Sequence, residues 1–108
     1  MENEIMNDEM SAAELSECLS QPSGQVFAID LMSNADYAGR HIPGAVNIPL
    51  DELGTHLSDI PKDKPVVLIC RKGLTKSDMA LEQLRKAGFT DIKKLSGGTV
   101  GWFEPQSA

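Results

Sequence analysis

Among the side chains able to bond covalently to a substrate, Cys70 has the most informative surroundings. It ends the apolar run Val66-Val67-Leu68-Ile69 and opens the polar stretch Arg71-Lys72-Gly73-Leu74-Thr75-Lys76. Arg71, Lys72 and Lys76 bring positive charge to the thiol, which favours the thiolate and draws in an anionic substrate. Gly73 permits tight curvature. A loop wrapped around the sulfur would turn backbone N–H groups and the start of the next helix inward, a second source of stabilisation for negative charge. The chemistry expected is therefore covalent catalysis by Cys70, with Arg71, Lys72, Gly73, Leu74, Thr75 and Lys76 as the anion-binding loop. The plainer alternative, a small apolar residue closing a strand, suits a cysteine without such neighbours. It does suit Cys18, which sits beside Leu15 and Leu19 on an amphipathic helix and is expected to pack.

Other motifs lead nowhere comparable. Gly73-Leu74-Thr75-Lys76-Ser77 has the look of a phosphate-loop tail, but the upstream glycine is missing and Thr75 replaces the glycine before the lysine. Gly97-Gly98-Thr99-Val100-Gly101 does not match a dinucleotide-binding pattern and reads as a tight turn. His41 and His56 lack spaced ligand partners, so no metal site is expected and His41 is assigned a hydrogen-bonding role. Lys93-Lys94 reads as the solvated end of a strand. No cofactor is implied, and two cysteines are too few for a disulfide framework or a zinc cluster.

The elements that must position Cys70 follow from hydrophobic periodicity. Ser-Ala-Ala-Glu at residues 11–14 forms a capping box, predicting a helix over 12–20. Residues 26–30 read as a buried strand ending at Asp30, and a helical turn is expected around 33–37. A brief strand at 45–48 lies between Pro43-Gly44 and Pro49, with a short helix over 52–57. Residues 66–69, β-branched and without polar alternation, predict a central parallel strand. An amphipathic helix is expected from Lys76 or Ser77 to Ala87, with Met79, Ala80, Leu84 and Ala87 facing inward and Gly88 as its stop. Residues 92–95 give a last strand. Alternation at this pace predicts an α/β fold, a mostly parallel sheet of about five strands with helices on both faces. In such sheets ligands bind at the carboxyl edge, where Cys70 falls.

The chain has 108 residues, 41% hydrophobic and 24% charged, a composition suited to one globular domain. Its longest apolar run is far shorter than the roughly 20 residues of a membrane span. The acidic start, with no apolar stretch behind it, does not read as a targeting signal, so a cytoplasmic location is expected. Too little apolar material lies in the first ten residues for firm docking, and residues 1–8 are expected to be mobile. A net charge of −6 disfavours nucleic acid or anionic membrane as a partner. The charge is uneven: residues 1–63 carry twelve acidic and two basic side chains, residues 64–108 four and eight.

The order of these pieces resembles the rhodanese domain family, single-domain sulfurtransferases, over residues 9–104, leaving 105–108 as a tail. Asp36-Tyr37-Ala38-Gly39-Arg40-His41-Ile42-Pro43-Gly44-Ala45-Val46-Asn47-Ile48-Pro49 is similar to the family's first signature. Leu95-Ser96-Gly97-Gly98-Thr99-Val100-Gly101-Trp102 is similar to its C-terminal one, and residues 66–73 to its cysteine-bearing strand and loop. The resemblance implies that Cys70 takes a sulfane sulfur from thiosulfate or a persulfide donor. It then passes that sulfur to a thiol, cyanide or protein acceptor, in a chain expected to be monomeric. The sequence departs from the family at three places. Asp30-Leu31-Met32 replaces Asp-Val-Arg, removing an internal ion pair. Arg40 separates Gly39 from His41 where Gly-His is usual. Thr75 and Lys76 stand where arginine and serine are common, with Ser77 one position further, as if the loop were one residue longer. A longer loop accompanies phosphate or arsenate chemistry in related cell-division-cycle phosphatases and arsenate reductases, one alternative reading. Lys76, however, lacks the bidentate fork of the arginine that closes their loops. A non-catalytic docking or sulfur-carrier module is the other alternative.

Overall fold

The computed structural model describes residues 9–21, 25–72 and 75–103. In chain order the elements are β1 (Glu9–Met10), α1 (Ala12–Leu19), β2 (Phe27–Asp30), α2 (Asn34–Gly39) and β3 (Val46–Asn47), followed by 3₁₀ turns at Leu50–Thr55 and Leu57–Asp59. Then come β4 (Val66–Ile69), α3 (Thr75–Lys86), β5 (Ile92–Leu95) and α4 (Gly98–Phe103). The strands form one sheet in the order β1-β5-β4-β2-β3, and every pairing is parallel. Connections leave β2 and β4 in opposite directions, one towards β3 and the other towards β5. The carboxyl ends of these two neighbours therefore flank the switch point at which ligands bind in open α/β sheets.

The pleat sends alternate strand residues to opposite faces. Ile29, Val66, Leu68 and Ile92 pack with Ala80, Leu81 and Leu84 of α3 and with Leu53 and Ile60 from the 3₁₀ region. Ala28, Val67, Ile69 and Leu95 pack with Leu15 of α1 and Ile42, and against partly buried Trp102 and Phe103 of α4. The sheet is thus covered on both sides, as the alternating pattern predicted. Helix α1 opens with the expected capping box: Glu14 N–H donates to Ser11 Oγ at 3.1 Å and Ser11 N–H to Glu14 Oε1 at 2.9 Å. Gly88 ends α3 at φ +97°, a conformation open to glycine at no steric cost.

Four local expectations are corrected. Residues 9 and 10, the end of a ten-residue start read as holding too little apolar material for firm docking, form an edge strand beside β5, and Met10 is buried. The helix expected over 52–57 is two 3₁₀ turns. Met79, assigned to the inward face of α3, is 52% exposed; the buried set is Ser77, Ala80, Leu81 and Leu84, an i, i+3, i+4, i+7 stripe. Of residues 97–101, read as a tight turn, only Gly97 is turn; Gly98 opens the short helix α4. The expectations for residues 1–8 and 105–108 lie outside the described residues. Among those described, no helix is long and apolar enough to cross a membrane.

Candidate active site

Cys70 directly follows β4 and is only 4% exposed. Its Sγ accepts a hydrogen bond from Ser77 Oγ at 3.2 Å, across the loop that joins β4 to α3. Ser77 is fully buried within the first turn of α3, so its hydroxyl has been placed against the sulfur, away from solvent. Sequence reasoning registered Ser77 only as one position late. Helix α3 begins at Thr75, and Ser77, seven positions after Cys70, reaches the sulfur. Arg71, Lys72, Thr75 and Lys76 line a 260 Å³ cavity together with Cys70 and Met32. Four of the six expected loop residues are therefore gathered around the thiol. The remaining two, Gly73 and Leu74, lie outside the described residues.

The opposite side of the loop is braced by α4. Thr99 N–H donates to the Cys70 carbonyl and Val100 N–H to the Arg71 carbonyl, each at 2.9 Å, and Thr99 Oγ1 lies 3.4 Å from the Arg71 oxygen. A trans peptide points its N–H opposite to its C=O. The N–H groups of Arg71 and Lys72 are thereby directed away from α4. This clamp needs a very close approach: a Cβ on Gly98 would stand 2.2 Å from the Cys70 carbonyl oxygen and 2.6 Å from the Arg71 carbonyl carbon. Gly98 also has φ +59°, so space and conformation both call for glycine there. Gly98, Thr99 and Val100 were not singled out as site residues. The signal was present in the paired glycines, which mark close backbone approach as well as turns.

Asp30 ends β2 beside Ile69, the residue before Cys70. It is fully buried; Oδ1 accepts the Met32 N–H at 2.9 Å, while Oδ2 has no hydrogen-bond partner. Burial pushes its carboxyl above the usual range, against the Met32 hydrogen bond and the charges of His41 and Lys76, with Asp36 adding to the rise. Asn47 braces the same corner, its amide donating to the carbonyls of Asp30 at 3.1 Å and Met32 at 2.9 Å. Tyr37 donates to the Ala45 carbonyl at 2.6 Å, and the Tyr37 carbonyl accepts from His41 Nδ1 at 2.8 Å, the hydrogen-bonding role expected of His41. Asp36 pairs with Arg71 at 3.7 Å, tying α2 to the cysteine loop.

A larger cavity of 600 Å³ runs between α3 and the segment 49–52, lined by Lys76 and Met79 among others. Cys70 does not line it. Through Lys76 it adjoins the smaller Cys70 cavity, whose size suits a compact anion.

A protein-family model described as the rhodanese-like domain matches residues 11–105. The protein YqhL of Bacillus subtilis is 42% identical over 74 residues, covering 68% of this chain and 58% of that one. A protein named sulfurtransferase from Allochromatium vinosum is 32% identical over 97 residues, or 90% of this chain and 89% of its own length. Among solved structures, the human single-domain sulfurtransferase TSTD1 superposes with a TM-score of 0.82 at 26% identity, covering 94% of this chain and all of that one.

Proposed function

The chain belongs to the rhodanese-like domain family, and we propose that it is a sulfurtransferase that carries sulfur as a persulfide on Cys70. The observation that carries this reading is the position of the Cys70 sulfur, at the carboxyl edge of the sheet, hydrogen-bonded by buried Ser77 and facing a cavity lined by Arg71, Lys72 and Lys76. The Cys70 thiolate attacks the outer sulfur of thiosulfate; the S–S bond of the donor breaks, and sulfite leaves with the bonding pair. An acceptor nucleophile then attacks the outer sulfur of the persulfide, and Cys70 departs as thiolate. This is covalent catalysis in two displacements. The N–H groups of Arg71 and Lys72, turned from α4 by the clamp, serve the thiolate and persulfide as fixed donors serve an oxyanion. Arg71, Lys72 and Lys76 hold the anionic donor, and the Ser77 hydroxyl stabilises charge on Sγ.

The test is thiocyanate formation from thiosulfate and cyanide. Cys70→Ser abolishes it and Cys18→Ser leaves it unchanged; equal loss in both variants contradicts the assignment. Hydrolysis of an aryl phosphate that depends on Cys70, without sulfur transfer, would favour the phosphatase reading instead.

A further inference from the structure

The 600 Å³ cavity beside the Cys70 cavity falls within the range of small-molecule sites. Lys76 lines both spaces and marks where they meet. Leu31, Leu50 and Met79 supply apolar lining to the larger one. Met79 is 52% exposed, a large apolar side chain on α3 that core packing leaves uncovered. The Leu50 N–H donates to the Leu31 carbonyl at 3.3 Å, so the first 3₁₀ turn is tied to the residue after β2 and faces α3 across the cavity. From that turn come Asp51 and Glu52, which line the larger cavity and not the smaller. Asp51 has no ion-pair partner among the described residues, and Glu52 stands 3.9 Å from His56, a long contact between exposed groups that neutralises little. The lining thus sets a cation at the junction with the Cys70 cavity and, away from that junction, apolar side chains and two carboxylates.

We propose that this cavity is the subsite for the sulfur acceptor, and that the acceptor is a small thiol with an apolar body and an ammonium at its far end. The proposal rests on the persulfide reading above. Such a molecule complements the lining group by group: its thiolate lies towards Lys76, its body against Leu31, Leu50 and Met79, and its ammonium by Asp51 and Glu52. The thiol gives its proton to solvent, and the thiolate reaches past Lys76 into the Cys70 cavity. There it attacks the outer sulfur of the persulfide, a new S–S bond forms, the bond to Sγ breaks, and Cys70 leaves as thiolate. The acceptor departs as a persulfide, and no oxidant or reductant is consumed. Met79, Asp51 and Glu52 are thus specificity residues, outside the Cys70 cavity in which sulfur is loaded.

The experiment is discharge of thiosulfate-loaded protein, followed by intact mass, with 2-mercaptoethanol, 6-mercaptohexanol and 6-aminohexanethiol. The first pair differs in apolar length and the second in the terminal charge. The readouts are two ratios of rate constants, long over short and amine over alcohol, compared between variants so that intrinsic thiol reactivity cancels. Met79→Gln lowers the first ratio about threefold, the worth of a partly covered apolar contact. The double variant Asp51→Asn, Glu52→Gln lowers the second about two- to fivefold, the worth of exposed charge contacts, and Asp51→Glu retains it. All three positions are exposed, so the variants keep the fold. Either ratio unchanged in its variant overturns the subsite, and equal slowing with all three thiols does so too, because it leaves both ratios where they were. A chain that takes up no sulfur from thiosulfate overturns the parent reading and this one together, whereas a loaded chain with an unchanged ratio overturns this one alone.

Discussion

Cys70 and Ser77, seven positions apart, meet at 3.2 Å in a buried contact, and that contact is the finest detail of the proposed chemistry. Removing the hydroxyl leaves the sulfur with one donor fewer where charge accumulates. Ser77→Ala is expected to slow sulfur loading from thiosulfate about tenfold, the kinetic equivalent of one charge-assisted hydrogen bond, while the fold persists. Stopped-flow or quenched mass measurements check this, and an unchanged rate would remove Ser77 from the site. Asp30 makes a separate prediction. Its carboxyl is raised by burial, so the folded chain holds that proton to higher pH than the unfolded chain does. Stability contributed by this group is therefore present at low pH and declines as pH rises from the ordinary carboxylate value through the raised one. Asp30→Asn, which keeps an oxygen for the Met32 N–H, is expected to flatten that decline in denaturation curves taken from the ordinary carboxylate range upward. At this scale the cysteine at the strand end and the cations beside it were legible in the sequence because charge and residue type are local. The Ser77 contact was not, since it depends on how many loop residues are absorbed before the helix begins.

At the scale of elements, α4 matters out of proportion to its six residues. Its first N–H groups hold the Cys70 and Arg71 carbonyls, and Gly98 permits the approach. Gly98→Ala places a methyl group inside backbone van der Waals distance and adds an unfavourable φ. It is expected to cost roughly 3 kcal/mol or more of stability and to suppress sulfur loading in whatever fraction stays folded. Ser11→Ala, by contrast, removes the cap of α1, two strands across the sheet from Cys70, costing about 1 kcal/mol with sulfur loading intact. Comparing the two variants by denaturation and by loading separates damage to the fold from damage to the site. Strands β2 and β4 were readable as unbroken apolar runs, β5 as a short run with apolar ends, and helices α1 and α3 because burial on one side imposes a period on them. β1 carries no such period: two residues held to β5 by backbone pairing leave no pattern in their side chains. Helix α4 was missed for a related reason, its glycines having low helical propensity until a carbonyl partner is in place. On α3, the hydrophobicity of Met79 pulled the expected inward face round by part of a turn. The polar Ser77 in fact belongs to that face, because it serves Cys70.

Over the whole molecule, the parallel sheet collects the ends of β2 and β4, the start of α3 and the start of α4 at one edge, and the cations of the C-terminal part around Cys70 lie there. The chain as a whole is acidic, with a net charge of −6, so attraction of a small dianion depends on a local field within a repulsive one. Raising ionic strength from about 0.01 M to 0.15 M shortens the screening length from about 30 Å to 8 Å. Both contributions are damped, but the near one less. The kcat/KM for thiosulfate is expected to change by less than about threefold over that range, whereas Arg71→Ala and Lys72→Ala each lower it at either salt. The topology was legible from strand and helix alternation together with the three signature segments; which surfaces the loops would bring together at the edge was not, because those contacts span most of the chain. The most direct test of the central claim is the intact mass of reduced protein after exposure to thiosulfate, beside Cys70→Ser and Cys18→Ser. Addition of one sulfur atom to the native chain and to Cys18→Ser, absent from Cys70→Ser and removed by cyanide, is the predicted result. Folded native protein that gains no sulfur, or a Cys70→Ser variant that still gains it, contradicts the account.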